Sequence, residues 1–476
     1  MSVSQYEYFS QDPNFPTKTV VAALFISAFL GYLNETLLNV ALSKLMSEFA
    51  ISKQQVQWLA TGFLLIMGAF SPITANLLQW FRTKTMALLT LGIFLFGSLI
   101  CASAVNFPML LAGRIIQALA AAMSVPLLIN AIMMIFPPEK RGRAMSLVVV
   151  IFTAAPAIGP TLSGIIVDSL GWRYLFLATV PLVLLAMGLI AWKLQHNLVE
   201  ITRPKIDALS ILLSLLGFGS LVYAASQFND LSLFMILGLL AFSALAITLF
   251  VRRQLCLDTP LLDLRIFGVA QFRHAVCIFA LACFLFLGLE LLLPMYSQQV
   301  LMFSATVTGF VLLPASISEA IFAPIFGTLL DKKGGRPVLL ICGIVMTLSM
   351  LTLWLLLGDN TPAWAIAAAF ALFVVAVSAA ITGKTHALNH LTAEQNPHGT
   401  AVLGMTMPIA GALGVAFFVG ITNVGEQISS QIKPHLAMLE GVKLSLGIGV
   451  FLAILVLLIS LKIRTLYALN GAKDET

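Results

Sequence analysis

The chain has 476 residues, of which 60% are hydrophobic and only 10% charged, and its mean hydropathy is +1.01. A soluble domain carries about 25% charged residues, so this composition excludes a soluble enzyme, a nucleic-acid-binding module and a disordered scaffold. The net charge of +6, from 26 Lys+Arg against 20 Asp+Glu, is informative through its distribution along the chain rather than its sum.

The first 18 residues are polar and lack the basic start and short apolar stretch of a cleaved signal peptide, so insertion is expected to begin with the first long apolar run. Such runs, at roughly 20 residues per crossing, fall at 19–45, 56–81, 84–104, 108–135, 143–167, 173–194, 207–228, 231–251, 272–293, 304–330, 337–357, 362–386, 399–424 and 442–463. This predicts an all-α polytopic membrane protein with about 14 transmembrane helices. The polar stretches Gln195 to Asp207 and Arg252 to Gln271 flank two of them. The expected organisation is therefore 6 + 2 + 6: a six-helix bundle over 1–195, a linker with two inserted helices over 196–271, and a second six-helix bundle over 272–476. Sliding the chain on itself by about 252 positions superposes Phe70, Pro72, Ile73, Leu77 and Leu78 on Phe322, Pro324, Ile325, Leu329 and Leu330, a repeat of the kind found in two-fold transporters.

Cytoplasmic loops collect Lys and Arg. Placing both termini in the cytoplasm assigns about 20 of the 26 basic residues to that side, among them Arg82, Lys140, Arg203, Lys205, Lys332, Lys384 and Lys473, and leaves Lys44, Lys53, Arg173, Lys433 and Lys443 outside. Cys101, Cys256, Cys277, Cys283 and Cys342 form no C-x-x-C pair and read as small hydrophobes.

A charge within the bilayer is costly and marks function by default. Glu35 lies about 24 Å along the first helix, surrounded by Asn34, Thr36 and Asn39. It reads as a proton carrier or as a structural carboxyl bonded to a neighbouring helix. Arg114 enters the fourth helix from the outer side, where it modulates Glu35, forms a static buried ion pair or snorkels to the interface. Glu319 falls mid-membrane in the tenth helix between Pro314 and Pro324, as a second proton site, a cation anchor or a helix–helix hydrogen bond. Glu290 is expected near the outer end of the ninth helix, in contact with water.

Other chemistries find less support. Thr382-Gly383-Lys384-Thr385 resembles the end of a nucleotide-binding loop, but Ser378 stands where that motif requires Gly. His386 and His390 have a metal-compatible spacing with His398 nearby, yet fall at an expected cytoplasmic helix end without an acidic partner and read as a solvated loop. No H-E-x-x-H or G-x-S-x-G occurs, so no enzyme is expected.

Four motifs carry a family resemblance. Gly327-Thr328-Leu329-Leu330-Asp331-Lys332-Lys333-Gly334-Gly335-Arg336-Pro337 resembles the cytoplasmic loop of the major facilitator superfamily. Ala157-Ile158-Gly159-Pro160-Thr161-Leu162-Ser163-Gly164, followed by Gly171-Trp172-Arg173, resembles the fifth-helix Gly-Pro motif of its drug:proton antiporters. Arg114 and Gln117 match its fourth-helix Arg motif. Asn34-Glu35-Thr36-Leu37-Leu38-Asn39 is similar to the first-helix motif of the 14-helix branch, nearest to lincomycin-resistance-type exporters. The first-half loop departs from the pattern, with Ala75 for Gly, Gln79 for Asp and Arg82 for Gly.

The resemblance implies the major facilitator fold and proton-coupled multidrug efflux, exporting amphipathic or cationic drugs by alternating access. It implies Glu35, Arg114 and Glu319 as proton-coupling residues, and Asn34, Glu35, Asn39, Gln117, Glu290 and Glu319 as the substrate-binding set. Asp331, Lys332, Arg336, Gly159, Pro160 and Gly164 would serve gating. It further implies a monomer in the bacterial inner or plasma membrane that uses the proton gradient, with no cofactor, metal or nucleic acid. The rival readings are an exporter of one physiological solute, such as a peptide, siderophore or sugar derivative, and a membrane sensor that does not transport.

Overall fold

The structure, a computed structural model, describes residues 8–13, 15–195, 197–198, 201, 207–227, 231–257, 260, 262–392, 394–430 and 436–464. Arg203, Lys205, Lys433 and Lys473, used above to assign the faces, lie outside the described residues. In chain order the helices are α1 (Thr17–Leu37), α2 (Leu42–Phe49), α3 (Lys53–Val56), α4 (Trp58–Trp80), α5 (Thr83–Ala102), α6 (Phe107–Ile135), α7 (Pro138–Ser169), α8 (Arg173–Leu177), α9 (Val180–Lys193), α10 (Ala208–Ser226), α11 (Leu233–Cys256), α12 (Ala270–Gln299), α13 (Ala305–Lys333), α14 (Gly335–Leu356), α15 (Ala363–Leu388), α16 (Asn396–Ser430) and α17 (Ala437–Ser460).

Among the described residues there is no strand, as a lipid solvent requires of a chain that does not close a barrel. Twelve spans are long and apolar enough to cross a membrane, counting α8 and α9 as one. Helix α4, 23 residues without a charged side chain, and α7, 32 residues, complete the expected fourteen.

An even number of crossings puts both chain ends at one face, the terminal face; the opposite one is the far face. The repeat found in the sequence falls on α4 and α13, the second spans of the first and last sets of six. The inserted helices α10 and α11 pack on each other, and α10 leans on both α4 and α16.

Several helix ends differ from expectation, three of them beside residues of interest. The first run, expected over 19–45, stops at Leu37; a turn at 38–41 leads into α2, which ends at Ala50 in the left-handed region (φ 51°). Helix α12 continues past the expected end at 293 through Pro294 to Gln299. Helix α15 reaches Leu388 rather than 386.

Outside the bilayer, two carboxylates fasten the far face and the inserted pair. Burial raises the Glu48 carboxyl, but hydrogen bonds from Arg173 Nη1 (2.8 Å) and Trp172 Nε1 (2.7 Å) outweigh it and hold it below its ordinary range. Asp207 caps α10 through Ser210 N at 3.3 Å. It accepts two bonds from Arg253 at the end of α11 (2.8 and 3.0 Å), which hold its carboxyl low against opposing burial.

A lowered carboxyl stabilises above its unfolded pKa, and that stabilisation disappears as pH falls through the folded value. Asp207→Asn is therefore expected to weaken the α10–α11 join by about 1 kcal/mol near neutral pH. Hydrogen exchange of the first turn of α10 reports it. The difference between variant and parent should begin to shrink below about pH 4 and close only once pH has passed below the lowered value of Asp207, and equal protection at pH 7 would refute the clip.

Candidate functional site

On α1, Glu35 and Asn34 are buried, with 6% and 1% exposure, and Asn39 follows in the turn beyond. Arg114 on α6 is fully buried. Its Nε donates to Leu59 O of α4 (3.2 Å), and its Nη1 donates to Asn34 O (3.1 Å), Asn34 Oδ1 and Gln117 Oε1 (3.3 Å). The guanidinium stacks on Phe63 at 4.3 Å. Gln117 passes the network on to Ser98 Oγ of α5 (2.9 Å).

Arg114 therefore ties α1, α4 and α6 together through Asn34. The expected partner of Arg114 was Glu35, but among the described residues the two form no ion pair within 4.0 Å. Its Nε and Nη1 are taken by carbonyl and amide oxygens instead, which match those planar donors without neutralising the carboxyl. Glu35 Oε1 and Arg114 Nη2 are both buried without a hydrogen-bond partner, so the site holds an unspent acceptor and an unspent donor.

Glu290 and Glu319 come together in the last six spans. They line one narrow cleft between α7, α12, α13 and α15, together with Pro156, Pro160, Phe286 and Phe370. The expectation of a wetted Glu290 is corrected: it is 3% exposed and nine residues short of the end of α12 at Gln299. Its Oε2 has no hydrogen-bond partner. Glu290 and Glu319 thus converge on one cleft, which Pro156 and Pro160 of α7 close from the side of the first six spans.

The Gly-Pro segment of α7 makes that convergence possible. A Cβ on Gly159 would collide with Thr36 Oγ1 of α1, and one on Gly164 would collide with the Ala305 carbonyl of α13. Thr161 Oγ1 donates to Gly309 O (3.2 Å), and Asp168 Oδ2 accepts from Thr306 N (2.7 Å) and Thr306 Oγ1 (2.6 Å). Lys53 meets Glu426 at 2.5 Å, and Gln298 Nε2 donates to Val40 O (2.9 Å). Each of these bonds joins the first six spans to the last six at the far face, which is shut.

Asp331, Lys332 and Arg336 stand exposed at the terminal face, where α13 meets α14; the joint is Gly334, whose φ of 75° suits a residue without Cβ. One residue read as part of a solvated loop is buried. His386 is 2% exposed in the last turn of α15, its ring against Gly335. Lys384 lies inside α15, with its Nζ 4.8 Å from the Phe279 ring centroid. Among the described residues there is no group of three or more metal-ligating side chains.

Two sets of six spans, related by an internal repeat and enclosing buried charges, define a multi-pass membrane transporter rather than an enzyme. The description "Major Facilitator Superfamily" fits residues 24–415, and the chain belongs to that family. It is 34% identical over 455 residues to the "Lincomycin resistance protein LmrB" of Listeria innocua serovar 6a, covering 94% of this chain and 96% of the relative. It is 25% identical over 420 residues to the "Riboflavin transporter RibZ" of Clostridioides difficile, covering 87% and 90%. In fold it is similar to a bacterial homologue of the human lysosomal transporter Spinster, solved in an inward-facing and unoccupied conformation. The TM-score is 0.69 at 15% identity, with 94% and 96% of the chains covered.

Proposed function

We propose that the protein is a proton-coupled multidrug exporter that moves amphipathic or cationic drugs by alternating access. In this reading two six-helix bundles rock about the buried site, the terminal face is cytoplasmic and the far face is outside. Glu35 carries the proton and Arg114 modulates it, with Glu319 as a second titrating group. Asn34, Asn39, Gln117, Glu290 and Glu319 contact substrate. Asp331, Lys332 and Arg336 hold the cytoplasmic gate, and Gly159, Pro160 and Gly164 hold the outer one. The proton gradient is the energy source, and the working unit is a monomer in the plasma membrane of a bacterium.

The observation that carries the reading is Glu35 itself, a buried carboxyl with an unpartnered oxygen beside a guanidinium with an unpartnered nitrogen. A structural carboxyl at this depth would be expected to have both oxygens bonded. One left open suits an occupant that comes and goes. The relative named for lincomycin resistance supports drugs as cargo. The relative named for riboflavin supports the rival, a single-solute exporter, which would show narrow competition between substrates.

The test is drug efflux from proteoliposomes under an imposed pH gradient, with the parent protein and Glu35→Gln. Gradient-driven movement of several unrelated cations by the parent, abolished in a Gln variant that still binds them, is expected. A parent that moves none of them under any gradient would sink multidrug export.

A further inference from the structure

Between the far-face halves of α14 and α17 lies a groove of about 670 Å³. On α17, Glu440, Lys443, Leu444, Gly447 and Phe451 line it; they recur every three or four residues and so share one face of that helix. Trp354 and Leu355, in the last turn of α14, form the other wall. None of these residues lines the carboxyl cleft. A Cβ on Gly447 would stand 3.3 Å from Trp354 Nε1, so the indole rests against bare backbone of α17.

The floor of the groove is apolar and open to the bilayer, with Leu355 69%, Phe451 68% and Leu444 42% exposed. From Glu440 to Phe451 is eleven residues of α17, about 16 Å along the helix. That is close to half of a hydrocarbon core of about 30 Å, so the groove has the depth of one leaflet. Its rim is polar. Glu440, in the first turn of α17, and Lys443 are partly buried, and Trp354 sits where tryptophans gather at a membrane interface. Among the described residues, Glu440, Lys443 and the Trp354 Nε1–H form no hydrogen bond or ion pair, not even the acid with the base three residues on. An acceptor, a cation and a neutral donor thus stand unmet over an acyl-sized trough.

We propose that this groove binds a phospholipid of the far-face leaflet whose head group carries a primary ammonium, as in phosphatidylethanolamine. Its phosphate meets Lys443 and the Trp354 Nε1–H, its ammonium donates to Glu440, and one acyl chain runs down past Leu444 to Phe451. Charge complementarity selects the head group. Phosphatidylglycerol offers Lys443 a phosphate but brings no cation to Glu440. Phosphatidylcholine brings a cation without an N–H, and so forgoes the charge-assisted hydrogen bond to the carboxylate. The site faces lipid on the outside of the last six spans and stands whether or not the exporter reading does.

The test is native mass spectrometry of the full chain released from nanodiscs that hold equal parts of these three phospholipids, for the parent, Glu440→Gln, Lys443→Gln and Gly447→Leu. The ratio of lipids retained per protein does not depend on how much of a variant folds. The parent is expected to keep phosphatidylethanolamine about tenfold over either competitor. Glu440→Gln should remove most of that preference while phosphatidylglycerol stays bound. Lys443→Gln, which takes away the phosphate partner, and Gly447→Leu, which fills the groove, should lower retention of all three. Equal retention of the three lipids by the parent overturns the proposal, as does a preference that Glu440→Gln leaves unchanged or a retention that Lys443→Gln and Gly447→Leu leave unchanged. A dimer in the same spectra that carries no lipid and is dispersed by Gly447→Leu overturns it in favour of a second copy of the chain.

Discussion

Replacing Arg114 by methionine is expected to lower stability by about 3–5 kcal/mol. The side chain keeps an apolar stem but is shorter and loses every donor. Asn34 O and Oδ1, Leu59 O and Gln117 Oε1 are then left in the bundle without the guanidinium that fills them, and each buried acceptor left unmet costs about 1–3 kcal/mol before relaxation. The loss falls at the junction of α1, α4 and α6, so it loosens three helices together. Arg114→Lys should recover only part of it, because one ammonium cannot reproduce a planar fork. Thermal unfolding in detergent measures this: a drop of several degrees for Met and a smaller one for Lys is expected, and an unchanged Tm for Met would show that the network contributes little.

The second large effect is on conformation. Gly164→Val is expected to keep the fold and abolish transport by holding the far face open. The added Cβ meets backbone, the Ala305 carbonyl, which cannot swing aside as a flexible side chain would, and overpacking of this kind costs about 1–3 kcal/mol. Separating α7 from α13 relieves the clash by giving up the seal. A cysteine placed at Ala315, which lines the cleft, in a protein freed of its five native cysteines, reports the outcome. Label by a membrane-impermeant maleimide from the far face should rise about tenfold, consistent with a shift of that energy. Label as slow as in the parent, with transport intact, would show that the seal does not depend on Gly164.

The apolar runs made the fold legible because lipid leaves a spanning chain little choice but helix, and the spacing of the breaks carried the count. Helix ends were less legible. Pro294 and the polar residues after it suggested an end near 293, but membrane helices tolerate proline, and α12 runs on to Gln299. That extension takes Glu290 from a wetted rim to a closed cleft. His386 was misread for a related reason: hydropathy averages over a window, so a few polar residues in the last turns of α15 look the same whether they face water or the bundle. Arg114 and Glu35 were legible as a neighbourhood. Their bonding was not, because sequence cannot say that Asn34 fills the fork before the carboxyl does.

Helix α10 lies against both α4 and α16, across one of the two seams between the first and last sets of spans. Among the described residues no inserted helix covers the other seam, where α7 meets α13. The molecule is therefore lopsided toward the lipid around it. On one flank the seam is backed by a second layer of helix, whereas on the other it is closed only by the fit of α7 against α13. A seam without a covering helix depends on its own fit alone, which here is set by Gly164 and Gly309, where a single added methyl meets the backbone of the opposite helix.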